Sequence, residues 1–80
     1  MAIDSYMTTS QAIVSREVLH FMRKRGLTQA ALADAIGLTQ TKVSARLRGS
    51  TRWSLDDIDT LGRIGVPVSL ASFVPMEVDQ

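Results

Sequence analysis

The chain has no cysteine, only two prolines and no long apolar run, and each absence excludes a class of protein. Without cysteine there is no disulfide framework, no thiolate zinc site and no cysteine nucleophile. Without an apolar run of about 20 residues no transmembrane helix is predicted, and the start lacks the pattern of a secretion signal. We therefore expect an intracellular, cytoplasmic protein whose 80 residues form one small domain around a single core.

The chain also has little net charge, a formal +1, but the charge is unevenly distributed. Residues 1–22 carry a balance of −1, residues 23–52 a balance of +6 and residues 53–80 a balance of −4. A basic middle between acidic ends can form a one-sided positive face that attracts phosphate. Charge alone favours the simpler interpretation, a mixed and solvated surface, so the positive face needs support from a motif.

The apolar residues of the chain are spaced as in helices, and glycines and prolines mark the ends of the segments. Val14, Val18, Phe21 and Met22 share one face of the first predicted helix. Four helices are predicted: residues 10–25, 29–36, 40–48 and 55–64. The second and third helices begin after threonines at positions suited to N-caps, Thr28 and Thr39. Their inward residues are predicted to be Leu32, Ala33, Ile36, Val43 and Leu47.

The start of the fourth predicted helix is the best marked of all. Ser54 stands at the N-cap position with Asp57 three residues later, a variant of the capping box. Trp53 and Ile58 then have the spacing of a hydrophobic staple, so we assign Trp53 to the core rather than to a nucleic-acid contact. The apolar segment 66–75 is predicted to be either a short fifth helix or an extended segment. Most glycines mark the ends of predicted segments, but Gly62 falls inside a predicted helix.

Residues 28–48 have the pattern of a helix-turn-helix, in which a glycine turn joins two short helices. Ala33 supplies the small residue where the two helices cross. Gly37 follows four residues later, in the turn, and Val43 follows six residues after that, facing back towards the first helix. Three such requirements met in one short segment make the motif specific.

The stretch TQAALADAIGLTQTKVSARLRG, followed by WSLDDIDTLGRIGVPVSL, resembles the Cro and lambda-repressor family of DNA-binding domains, of the xenobiotic-response-element type. The resemblance implies an all-α fold, a compact four- to five-helix bundle. The resemblance covers about Val18 to Phe73, and we expect a flexible segment 1–9, a DNA-binding domain 10–75 and a tail 76–80. The implied function is that of a phage or prophage repressor, acting on the bacterial nucleoid as a homodimer on an operator in double-stranded DNA.

The resemblance also assigns roles to individual residues, with residues 40–48 as the recognition helix. The implied contacts to base edges are Gln40, Thr41, Ser44 and Ala45. The implied contacts to the DNA backbone are Thr28, Gln29, Thr39, Lys42, Arg48, Ser50, Thr51 and Arg52. Elementary chemistry agrees, because glutamine can pair with adenine and the free amides of a helix start can bind phosphate.

Arg46 departs from the family pattern, because many members have an aliphatic residue at this position. It can extend its stem along the core, form an ion pair with Asp56 or Asp59, or contact phosphate; we favour the ion pair. The adjacent carboxylates Asp56 and Asp57 make the start of the fourth helix a poor phosphate site.

No catalytic, metal, cofactor or small-molecule site is predicted, and His20 has no partners suited to metal binding or catalysis. Two other functions remain open: a protein-interaction module on the same fold, such as an antirepressor or adaptor, and a DNA-binding antitoxin. The apolar tail residues Leu70, Phe73 and Val74 either form the dimer interface or close the core over the first helix.

Overall fold

The computed structural model describes residues 9–68, and within them the chain forms four helices and no strand. The helices are α1 (Thr9–Arg25), α2 (Gln29–Ile36), α3 (Gln40–Arg48) and α4 (Leu55–Ile64). The all-α class and the four helices are confirmed, and α1 starts one residue earlier than predicted. Residues 66–68 are not helical. The rest of the predicted 66–75 segment, the tail 76–80 and nearly all of segment 1–9 lie outside the described residues.

A hydroxyl side chain begins each of the last three helices. The side-chain oxygens of Thr28, Thr39 and Ser54 accept backbone amides from Ala31, Lys42 and Asp57 at 3.0, 3.2 and 3.0 Å. Each bond satisfies one of the amides that a helix start leaves without an intrahelical acceptor. These contacts confirm all three predicted N-caps, and they depend only on residues within one helical turn.

The turn between α2 and α3 is built on Gly37. Its φ of 76° lies in the left-handed region, which a residue with a Cβ disfavours. The Leu38 amide then donates to the Ala33 carbonyl at 2.9 Å, which closes the end of α2. Because Thr39 caps the next helix, only three residues separate α2 from α3, as predicted.

The core lies where the four helices meet the segment that follows α4. Its fully buried side chains include Leu32, Val43 and Leu61, one from each of the last three helices. The predicted face of α1 is confirmed, because Val14, Val18, Phe21 and Met22 are all buried. The remaining core residues are Ala33, Trp53, Ile58, Val66 and Val68. Ile36 and Leu47, also predicted to face inward, pack against this core but are only partly buried.

Gly62 has a steric reason for standing inside a helix. A Cβ added there would lie 3.0 Å from the carbonyl oxygen of Val68. The chain that follows α4 therefore passes so close to Gly62 that a side chain there would require the Val68 carbonyl to shift. In this path Val66 and Val68 are both buried in the core.

Candidate nucleic-acid interface

The helix α3 has one side in the core and one side facing solvent. Val43 is completely buried, whereas Gln40, Thr41, Lys42 and Arg48 are exposed. Ser44 and Ala45 are half-buried on the intervening surface. The predicted contact residues of α3 therefore lie mainly on a face that a large ligand could approach without disturbing the fold.

A polar groove of about 320 Å³ brings five predicted contact residues together. It runs from the start of α2 onto the outward face of α3. Its lining consists of Gln29, Gln40, Thr41, Ser44 and Arg48. Four of these side chains are neutral hydrogen-bonding groups and one is a cation. The groove therefore offers both donors and acceptors and carries a net positive charge.

The two threonine caps stand beside this groove with donors still available. The oxygens of Thr28 and Thr39 each accept a backbone amide, which leaves the hydroxyl hydrogen free to donate outward. Amides at a helix start also favour anions, because the helix dipole is positive there. The beginnings of α2 and α3 are therefore chemically suited to phosphate oxygens.

The loop between α3 and α4 carries the remaining predicted backbone contacts. Ser50, Thr51 and Arg52 are all exposed, and none of them lines the polar groove. Trp53 follows directly and is only 3% exposed. The loop is thus anchored at one end while its polar residues project into solvent.

Arg46 forms the predicted ion pair, but the predicted partners were wrong. Its Nε donates to Oδ2 of Asp57 at 2.7 Å, and the two side chains are only 13% and 10% exposed. Asp56 is exposed, and Asp59 pairs with Arg63 at 3.0 Å. Asp57 is the third residue of α4, and its carboxylate turns back to accept the Ser54 amide at 2.8 Å. That turn directs the carboxylate towards α3.

Trp53 is a core residue, as predicted, and it is also held by polar side chains of α1. Its indole Nε1 donates to Oγ of Ser15 at 2.9 Å. Gln11 accepts the Trp53 amide and donates to the Trp53 carbonyl. The Ser15 hydroxyl in turn donates to the Arg46 carbonyl at 3.4 Å. Neither Gln11 nor Ser15 was predicted to take part; the available signal was their spacing of four residues beside the apolar face of α1.

These contacts fix the position of α3 relative to its neighbours. Arg46 joins it to the start of α4 through Asp57, and Ser15 joins it to α1. Trp53 fills the space between these two connections. The solvent-facing side of α3 is therefore held in one orientation relative to α1 and α4.

The exposed cations of α3 and of the loop after it have no carboxylate partner within the described part of the chain. Within residues 9–68 the ion pairs are Arg46–Asp57 and Arg63–Asp59, so Lys42, Arg48 and Arg52 have no carboxylate partner there. In the same part of the chain, no cluster of three or more acidic, histidine or cysteine side chains could hold a metal ion. None of its helices is both long enough and apolar enough to cross a membrane.

A family model described as helix-turn-helix matches residues 20–67, which is more than half of the chain. No curated protein and no solved structure shows a significant match. The matched region contains α2, the Gly37 turn and α3, together with α4 and every residue that lines the polar groove. The chain belongs to the helix-turn-helix family of DNA-binding domains.

Proposed function

We propose that the protein is a sequence-specific regulator of transcription, of the Cro-like or repressor type, that binds double-stranded DNA. The supporting observation is the polar groove on the outward face of α3, where side chains from two helices converge. Its one cation, Arg48, has no carboxylate partner within residues 9–68. A helix of this kind fits the major groove of B-DNA, and its N-terminal residues then meet the base edges.

The base-reading residues of this proposal are Gln40, Thr41, Ser44 and Ala45. The side-chain amide of Gln40 can accept a hydrogen bond from N6 of adenine through its oxygen and donate one to N7 through its nitrogen. Thr41 and Ser44 can each donate or accept one hydrogen bond, and Thr41 and Ala45 offer a methyl group to thymine. Gln40 and Thr41 are exposed, Ser44 and Ala45 are half-buried, and none of the four belongs to the buried core.

The phosphate contacts of the proposal surround this reading face. Thr28, Gln29 and Thr39 act at the two helix starts, and Lys42 acts beside the groove. The loop residues Ser50, Thr51 and Arg52 reach the backbone beyond the end of α3. Such contacts fix the register of the protein on DNA and supply the salt-dependent part of the affinity.

A single α3 reads only a few base pairs, which favours a homodimer on a palindromic operator with half-site centres about 34 Å apart. Bound in this way, the protein blocks a promoter by occupying it. A phage or prophage origin and action in the cytoplasm on the nucleoid fit this role. Leu70, Phe73 and Val74, predicted either to form the dimer interface or to close the core over the first helix, lie outside the described residues.

The test compares the DNA affinities of Gln40→Ala and Arg52→Ala. The operator is first located by footprinting the DNA around the gene that encodes the protein. Gln40→Ala is expected to lose about 1–3 kcal/mol of discrimination at one base pair. Arg52→Ala is expected to weaken binding to all sequences alike and to reduce the salt slope by about one unit.

Two outcomes would contradict the proposal or redirect it. If Gln40→Ala lost affinity equally on operator and random DNA, Gln40 would not read a base. If the wild-type protein bound no duplex DNA at low salt, the regulator would be excluded and the protein-interaction module favoured. A toxin gene adjacent to this one would instead favour the antitoxin, which also binds DNA.

A further inference from the structure

We propose that Arg48 reads a guanine in the operator and that Ser44 orients it, which replaces the phosphate contact predicted for Arg48 from sequence. This inference rests on the proposed function, and it names one base pair of the DNA target. The observation behind it is a hydrogen bond of 2.6 Å from Nη1 of Arg48 to Oγ of Ser44. Both residues line the polar groove.

The position of the guanidinium follows from helix geometry. Side chains on a helix point towards its N-terminus, and residues four apart lie one above the other. The backbone of Arg48 lies about 6 Å further along the axis than that of Ser44, at 1.5 Å per residue. Arg48 spans this rise by folding back along α3. Its charged group therefore lies at the level of Ser44, in the reading face.

The chemistry of this arrangement matches guanine. The edge of guanine in the major groove presents two acceptors, O6 and N7, and bidentate pairing with arginine is its commonest specific contact. A guanidinium has five N–H donors, so the bond to Ser44 leaves enough for both acceptors. The hydrogen bond to the Ser44 oxygen orients the planar guanidinium group of Arg48. Less side-chain entropy of Arg48 is therefore lost when it binds the base.

The other arginine of α3 cannot take this role. Arg46 is held by Asp57 in a largely buried ion pair. Arg48 is exposed and has no carboxylate partner among residues 9–68. Of the guanidinium groups on the recognition helix, only that of Arg48 therefore faces the groove with its charge unpaired.

The experiment selects binding sites from random duplex DNA with the full chain and with three variants. Arg48→Met keeps a long side chain and removes every donor, whereas Ser44→Ala removes only the orienting oxygen. Arg52→Met is the matched control, because Arg52 is exposed but lies outside the groove. Circular dichroism and thermal melting of each variant establish that it is folded.

The wild type is expected to select a G·C pair at one position of each half-site. Arg48→Met should lower the preference at that position at least tenfold and leave the other positions unchanged. Ser44→Ala should weaken the same preference in part. Replacing that guanine by 7-deazaguanine, which lacks the N7 acceptor, should weaken the wild type at least fivefold and leave Arg48→Met unaffected.

The inference is overturned if Arg48→Met behaves like Arg52→Met, with an equal loss on all sequences and a reduced salt slope. Insensitivity of the wild type to 7-deazaguanine at every guanine of the site overturns it as well. In both cases selective binding persists, so the proposed function stands. Absence of wild-type binding to any duplex at low salt would overturn both together.

Discussion

Asp57→Ala is expected to destabilise the fold far more than the same substitution at Asp59, only two residues away. Removing one partner of a buried ion pair costs about 3–5 kcal/mol, and the lower end applies because both side chains retain some exposure. Asp57→Ala also removes the acceptor of the Ser54 amide, a hydrogen bond that contributes about 0.5–1.5 kcal/mol. For 80 residues the whole stability is about 4–12 kcal/mol, so the variant loses a large share of it.

The assay is urea unfolding followed by tryptophan fluorescence, since Trp53 is the only tryptophan and is buried in the core. Asp59→Ala is the matched control, because it removes an exposed carboxylate paired with Arg63 four residues along the same helix. Pairs of that kind contribute about 0.3–0.5 kcal/mol. The midpoint of unfolding should fall strongly for Asp57→Ala and barely for Asp59→Ala.

The double variant Arg46→Leu/Asp57→Ala tests the cause of the loss. It removes the charge that Asp57→Ala leaves buried and alone, so it should be more stable than Asp57→Ala. Equal midpoints for Asp57→Ala and Asp59→Ala would show that the Arg46–Asp57 pair acts as a surface pair. Arg46→Leu is therefore also measured alone. If the losses in free energy of unfolding of Arg46→Leu and Asp57→Ala simply add in the double variant, the two residues are not coupled.

Three further substitutions test the connections around α3 by the same unfolding assay. Ser15→Ala should cost about 1–3 kcal/mol, because it leaves the buried indole N–H of Trp53 without an acceptor; a loss below 0.5 kcal/mol would argue against that bond. Gly37→Ala should cost about 1–2 kcal/mol at its left-handed φ, and Gly37→Asn should cost less, so the reverse order would contradict the turn. Gly62→Ala should not give the gain of about 1 kcal/mol that alanine normally brings to a helix, because its Cβ meets the Val68 carbonyl; a full gain would show that the chain does not cross there.

The helices and their ends were predictable because each depends on residues within a few positions. Thr28, Thr39 and Ser54 cap amides three residues away, and Gly37 closes the turn with its immediate neighbours. The burial of one face of α1 follows from helical periodicity. The clustering of Gln29 with the outward residues of α3 followed from resemblance to a family in which two helices pack in a fixed way.

The partner of Arg46 could not be chosen from the sequence. Successive residues of a helix differ by about 100° in direction, so Asp56, Asp57 and Asp59 face different neighbours. Which one meets Arg46 depends on how α4 is rotated against α3. The contacts of Ser15 and Gln11 with Trp53 span 38 and 42 positions of the chain, and the whole bundle must be assembled before they exist.

The role of Gly62 escaped prediction for a similar reason. Nothing in its neighbourhood in the sequence calls for glycine, since alanine is the better helix former. The requirement arises from the path of residues 66–68 across α4, which brings a carbonyl oxygen within reach of the missing Cβ. A glycine that weakens its own helix is, in this position, a marker of tertiary contact.

The division of α3 into two faces has a consequence for how the protein can change. The helix is held in place by Val43, Arg46 and Leu47, while Gln40 and Thr41 project into solvent. Substitutions at such exposed positions usually alter stability by no more than about 0.5 kcal/mol. The outward residues can therefore be exchanged almost independently of folding. A lineage or a designer can thus vary the ligand preference of this surface while keeping the same scaffold.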